Sequence, residues 1–254
     1  MSESGAPLLR VAGVSVRADH ATLLHDIGFT LEGGEILALL GANGAGKSTL
    51  MAALAGELSL AAGRIEFDGR ALSAWSATAL AARRALNASE PSVPFAMSVA
   101  EYVALGRPFA APDDDAIGSA LDECHAAAWR TRDYTTLSMG EQMRVQLARS
   151  LYQLGSFARS PRCLWLLDEP CAHLDMAQRH FVLTLIARIA KAQQWAVVFS
   201  THDPMEAQLI ADRALLLRKG EALVCAQVGE ALDEANLSAC YGRSVAQRPA
   251  FVAV

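Results

Sequence analysis

The sequence has no stretch of about 18 uncharged apolar residues, the minimum for a helix that crosses a bilayer, although 52% of it is hydrophobic. Much of that hydrophobicity is alanine. Met1 to Pro7 show no basic stretch followed by an apolar one, so no secretory leader is expected and the chain should stay in the cytosol. Its five cysteines (Cys124, Cys163, Cys171, Cys225, Cys240) are odd in number and lack Cys-x-x-Cys spacing. A disulfide framework and a zinc site are therefore not expected, and the thiols read as reduced packing residues. Basic residues are not in excess: 27 acidic against 22 basic give a net charge of −5, which argues against nucleic-acid binding through a basic surface. Internal repeats, low-complexity tracts and long coiled-coil patterns are absent. What remains is 254 residues, enough for one large α/β domain with an inserted lobe and a substantial core.

Residues 8 to 32 alternate apolar and polar (Leu9, Val11, Val14, Val16, then Leu23, Ile27, Phe29, Leu31) and predict strands with one buried face. After the Gly33–Gly34 turn, Ile36 to Leu40 is apolar throughout, as expected for a strand covered on both faces of a parallel sheet. The same pattern recurs at Cys163 to Leu167, ending in Asp168 and Glu169, and at Ala196 to Phe199, ending in Ser200, Thr201 and His202. Ligands of open parallel sheets sit beyond the carboxyl ends of the strands, so these polar ends are expected to converge on one site. Residues 87 to 136 differ: Pro91 and Pro94, helical spacing around Val99 and Val103, a break from Gly106 to Pro112, then a capped helix after Asp113 to Asp115. Ala214 to Leu217 and Ala222 to Val224 read as a hairpin around Lys219 and Gly220. The expected organisation is one domain over residues 1–254. A nucleotide-binding core takes 8–86 and 161–228, a helical subdomain 87–160, and a C-terminal extension 229–254.

Gly41, Ala42, Asn43, Gly44, Ala45, Gly46, Lys47 and Ser48 satisfy the phosphate-loop pattern, preceded by a buried strand and followed by a helix-compatible run from Thr49. Glycines let successive N–H groups curl around phosphate oxygens, Lys47 brings a cation to the β and γ phosphates, and Ser48 offers a hydroxyl to Mg²⁺. Asp168 is placed to hold the metal and Glu169 to polarise a water, although a solvated turn also explains an acidic pair at a strand end. Ser138 and Glu141 form a capping-box pattern before a helix with Met143, Leu147, Leu151 and Leu154 on its apolar face. A bare capping box is common. Its exposed N–H groups could also serve a nucleotide held by a second subunit.

In combination, Leu137, Ser138, Met139, Gly140, Glu141 and Gln142, lying between the two nucleotide motifs, resemble the signature segment of ATP-binding cassette proteins. The resemblance extends through Leu174–Asp175 and Thr201, His202, Asp203 and covers nearly the whole chain. It implies an α/β fold: a P-loop NTPase core with a mostly parallel sheet, an N-terminal antiparallel β subdomain and an inserted α-helical subdomain. It also implies an ATPase using ATP and Mg²⁺. Lys47, Glu169 and His202 would be catalytic, and Gly41 to Thr49 with Ser138, Gly140 and Glu141 would bind nucleotide. Ser48, Asp168 and Ser89 would face the metal. The implied partners are a second copy, two membrane permease subunits and, indirectly, a periplasmic or surface substrate-binding protein. The implied location is the cytoplasmic face of the inner membrane.

Leu72 to Ser76, Arg83 to Ala85, Arg144 to Arg149 and Tyr241–Gly242 are most similar to subunits of the haem, cobalamin and iron-chelate importers, with haem favoured and cobalamin a rival. Departures from the family pattern are Ser89 for a glutamine, Met139 for a small residue and Cys171 for Thr or Ser. Val16 stands where an adenine-stacking aromatic is usual, and the lost stacking, worth about 1–3 kcal/mol, predicts weak nucleotide affinity. Two other readings stay open: a soluble ATP-driven clamp on nucleic acid or ribosomes, and a degenerate subunit that binds ATP without hydrolysing it.

Overall fold

The computed structural model describes residues 6–18, 21–88, 95–155 and 162–245. The chain opens with β1 (Leu9–Ala18) and β2 (Ala21–Leu31), paired antiparallel, and continues through β3 (Ile36–Leu40) into the phosphate loop and α1 (Lys47–Leu54). It returns to the first sheet as β4 (Ala62–Phe67) and β5 (Arg70–Ala71), giving the antiparallel order β2-β1-β4-β5. Leu9, Val11, Val14 and Val16 of β1 are buried, as the sequence pattern predicts, with alternation on either side of a register shift between Val11 and Val14. Gly63 permits the β1–β4 pairing: its φ is +81°, and a Cβ there would lie 2.2 Å from the Gly13 carbonyl oxygen. Only glycine fits that approach.

Next come α2 (Ala77–Ala81), β6 (Arg84–Asn87), α3 (Val99–Ala104), α4 (Asp114–Glu123) and α5 (Met139–Gly155). The cap expected after Asp113 is present: Asp113 accepts from the Ala116 N–H to start α4. Ser98 and Glu101 cap α3 reciprocally. This helical lobe is anchored to β6 along α5, where Gln153 donates to the Ala81 and Arg84 carbonyls and Ser150 donates to the buried Asn87 side chain.

The chain then alternates β7 (Leu164–Leu167), α6 (Met176–Gln193), β8 (Ala196–Thr201), α7 (Pro204–Ile210) and β9 (Arg213–Arg218). It ends with β10 (Glu221–Gln227), α8 (Val228–Ala231) and α9 (Glu234–Tyr241). The second sheet has the order β10-β9-β3-β8-β7-β6, parallel except for the β9–β10 hairpin. Every residue of β3, β7 and β8 is buried, the signature of strands covered on both faces. One core, around Leu37, Leu39, Leu50 and Val198, lies between this sheet and the antiparallel sheet. The other, around Trp165, Tyr102, Leu147 and Ile186, lies between the sheet and the helical lobe.

Candidate functional site

Because β3, β7 and β8 are parallel neighbours, their carboxyl ends deliver Gly41, Asp168–Glu169 and His202 to one edge of the sheet. The phosphate loop itself is tightly built. A Cβ on Gly41 would lie 2.5 Å from the Leu217 carbonyl oxygen, and Gly46 has φ +106° with Leu24 close behind it. Ala42, Asn43, Gly44 and Ser48 face outward, whereas Ala45 and Lys47 are buried. Gly46 sits at the α1 N-cap with no side-chain cap, unlike α3, α4, α6, α7 and α9, each of which starts on a Ser or Asp acceptor. The first N–H groups of α1 are therefore left for an anion, with the helix dipole in support.

Lys47 is only 5% exposed, and its ammonium donates to the Gly41 carbonyl at 2.9 Å and the Ala42 carbonyl at 3.5 Å. It also lies 3.6 Å from Glu169 Oε1. The other carboxylate oxygen, Oε2, is 3.9 Å from His202 Nδ1. Glu169 thus stands between the loop cation and the histidine. Its backbone is left-handed, φ +47°, an unfavourable region for a side-chain-bearing residue that persists where the surroundings fix it.

Ser200 is what fixes it. The buried Ser200 hydroxyl donates to Asp168 Oδ1 and accepts the Glu169 N–H at 2.9 Å, tying both acidic residues to β8. Ser200 was legible only as a strand-end polar residue. Its role depends on the β7–β8 register, which the sequence alone does not supply. Ser200→Ala should leave the Asp168 oxygen and the Glu169 N–H without this partner, at a cost of about 1–3 kcal/mol. Calorimetry should then show Tm lowered by a few degrees, and steady-state assay should show turnover reduced about tenfold, as expected when a reacting group is misplaced.

A second network holds the loop after His202. Thr201 donates to the buried Glu206 at 2.6 Å, and burial raises the pKa of that carboxyl. Arg179 on α6 pairs with Asp203 at 2.9 Å and Glu206 at 3.2 Å and donates to the Leu174 carbonyl at 3.5 Å. The Leu174–Asp175 loop and the His202 loop are thereby joined through one guanidinium. Asp175 caps α6 by accepting the Gln178 N–H at 2.9 Å.

Ser138 and Glu141 form the expected box: Glu141 Oε2 accepts the Ser138 N–H at 2.8 Å, and the Glu141 N–H reaches Ser138 Oγ at 3.4 Å. The carboxylate of Glu141 is thus used as a cap, and it pairs with Arg132 at 3.5 Å. Ser138 and Met139 are exposed, while Gly140 is buried against the Gln178 side chain of α6. Among the described residues, the hydrogen bonds, ion pairs and packing of this turn are with its own helix, with Arg132 and with Gln178 of α6, not with Lys47, Glu169 or His202.

Ser89 lies outside the described residues. Val16 is 3% exposed and packs within the core of the first sheet, so its side chain is not offered at the surface. Arg17 and Ala18 are the exposed residues at that end of β1. The weak affinity inferred from Val16 loses its basis, because β-strand alternation turns its side chain inward.

The family model described as ABC transporter matches residues 24–172. The chain is 38% identical over 240 residues to the hemin import ATP-binding protein HmuV of Methylobacillus flagellatus, covering 92% of this chain and 89% of that one. It is also 38% identical over 242 residues to the hemin import ATP-binding protein HmuV of Pseudomonas fluorescens, covering 94% of each. Among solved structures, a putative metal-chelate type ABC transporter in an inward-facing conformation superposes with a TM-score of 0.78 at 30% identity, covering 92% of this chain and 88% of that chain. Family match, relatives and fold agree with the phosphate loop and acidic strand end described above: the chain belongs to the ABC transporter family and is an ATP-binding ATPase of it.

Proposed function

We propose that this chain is the ATP-hydrolysing subunit of an importer that takes up haem through a separate membrane permease, working as a homodimer at the cytoplasmic membrane face. The observation that carries the cargo is the shared name of the curated relatives, hemin import ATP-binding proteins matched over more than nine-tenths of this chain. No helix among the described residues is long and apolar enough to cross a membrane, and in this reading a separate permease provides the path. The segment from Ser89 to Met97 is the proposed docking region for the permease. Phe95, at 65% exposed, offers an apolar contact at its described end.

In this reading the loop N–H groups and the uncapped start of α1 hold the phosphates, and Lys47 turns from its loop carbonyls to the β and γ oxygens. Ser48 and Asp168 suit Mg²⁺: both offer hard oxygen ligands, and one or two protein oxygens with phosphates and water make up a usual magnesium shell. When bound, the metal neutralises charge on the phosphate oxygens. Glu169 orients and polarises the attacking water. His202, beside Glu169, faces the γ-phosphate position. Ser138 and Gly140 serve the nucleotide on the other subunit, with Asp175 at the interface.

With the cognate permease and binding protein in liposomes, hemin should raise ATP turnover severalfold, and cobalamin or a ferric siderophore should not. Stimulation by a ferric siderophore alone would favour the second reading, import of another metal chelate, to which the structural neighbour points.

A further inference from the structure

The C-terminal helix α9 touches the site twice. Asp233 caps its start, accepting the Asn236 N–H at 2.6 Å, and Gly242 ends it in a left-handed conformation, φ +66°. These two ends fix the last turn, which carries Cys240 and Tyr241. The buried Cys240 thiol donates to the Leu217 carbonyl at 3.4 Å, the same oxygen that closes behind Gly41 of the phosphate loop. One residue later, the Tyr241 hydroxyl donates to the His202 carbonyl at 3.0 Å. The same turn, with the phosphate loop, walls a cleft of about 280 Å³ lined by Asn43, Gly44, Tyr241 and Gly242. Burial pushes the Tyr241 phenol up to about 12, so it remains a donor at neutral pH.

His202 needs outside support. Its side chain is 64% exposed, and its approach to Glu169, 3.9 Å, is longer than a hydrogen bond. The neighbouring residues are held: Thr201 is tied to Glu206, and Asp203 accepts from Arg179 while its own N–H reaches Thr201 Oγ1 at 3.0 Å. The His202 peptide carbonyl takes its hold from α9. Resting on the reading of His202 as a member of the hydrolytic site, we propose that Tyr241 is a positioning residue. It holds the His202 backbone so that the imidazole stays against Glu169, and it makes α9 part of the hydrolytic machinery.

The test uses the full chain with Tyr241→Phe, which keeps the ring and deletes the donor. A neutral hydrogen bond of about 0.5–1.5 kcal/mol corresponds to a fall in kcat of about two- to thirteenfold, with KM for ATP nearly unchanged. The same change is then made in a His202→Gln background, measured with enzyme in excess over labelled ATP so that slow turnover registers. There the hydroxyl's removal should have almost no further effect on rate. A purely packing role would instead lower Tm while leaving kcat at 25 °C intact, or lower the rate equally in both backgrounds, and either result overturns the proposal. Wild-type kcat in the single His202→Gln variant would overturn the reading of the site itself, an outcome separate from any result with Tyr241→Phe alone.

Discussion

Glu169→Gln should reduce ATP turnover by at least about 100-fold, the lower end of what a positioned general base contributes, while MgATP binding survives. The substitution is nearly isosteric and keeps the Glu169 N–H bond to Ser200, which depends on the backbone. It removes the negative charge that faces Lys47 at 3.6 Å and His202 at 3.9 Å. Lys47 keeps its two loop carbonyls, so the phosphate loop should not collapse. Turnover measured by phosphate release, beside equilibrium binding of a fluorescent ATP analogue, separates the two effects. Turnover within a few-fold of wild type would remove Glu169 from the chemistry and would leave room for hydrolysis organised by other groups. Loss of binding together with turnover would mean that the carboxylate shapes the loop more than it serves the water.

Lys47→Ala should show the opposite balance, with binding lost first. The ammonium is buried and makes charge-assisted bonds within the loop, and such bonds are worth about 1.5–3 kcal/mol each. Transferring that donor to phosphate oxygens and then deleting it should weaken MgATP by about 10- to 150-fold. Alanine also leaves the Glu169 carboxylate without its nearest cation, so residual turnover should fall as well. Titration of MgATP against both variants gives a direct contrast: near-normal affinity in Glu169→Gln, and weakened affinity in Lys47→Ala. Equal affinity in the two variants would place Lys47 outside the phosphate site. A variant of either kind that binds and hydrolyses ATP normally would support neither assignment.

Much of the site was legible because its chemistry is local in sequence. Gly41 to Ser48 must be contiguous to curl around phosphates, and the apolar runs at Ile36–Leu40, Leu164–Leu167 and Ala196–Phe199 mark strands whose ends share one edge. The capping box at Ser138 and the Asp113 cap could be read for the same reason, since each uses residues three positions apart. Contacts set by register or by distant packing could not be read. Ser200 gains its role because β8 lies beside β7, and Tyr241 because α9 folds back to His202, 39 residues earlier. Arg179 is an unremarkable helix residue until α6 and α7 bring Asp203 and Glu206 to it. Val16 shows the opposite case: the family pattern marks this position for a stacking aromatic, but the fold of β1 puts its side chain in the core.

Ser138 and Met139 are exposed, and the turn is held by Glu141, Arg132 and Gln178, an arrangement suited to presenting a helix start to another molecule. If two copies pack head to tail, each turn completes the nucleotide site of the other, and Asp175, at the start of the helix that packs on Gly140, reaches the same interface. The most direct measurement is a structure of the Glu169→Gln variant with Mg·ATP, joined to its permease. The expected result is each Ser138 hydroxyl at about 3 Å from a γ-phosphate oxygen held by the other subunit's Lys47. Two nucleotide-loaded subunits with both Ser138 turns facing away from the phosphates would contradict the head-to-tail pairing.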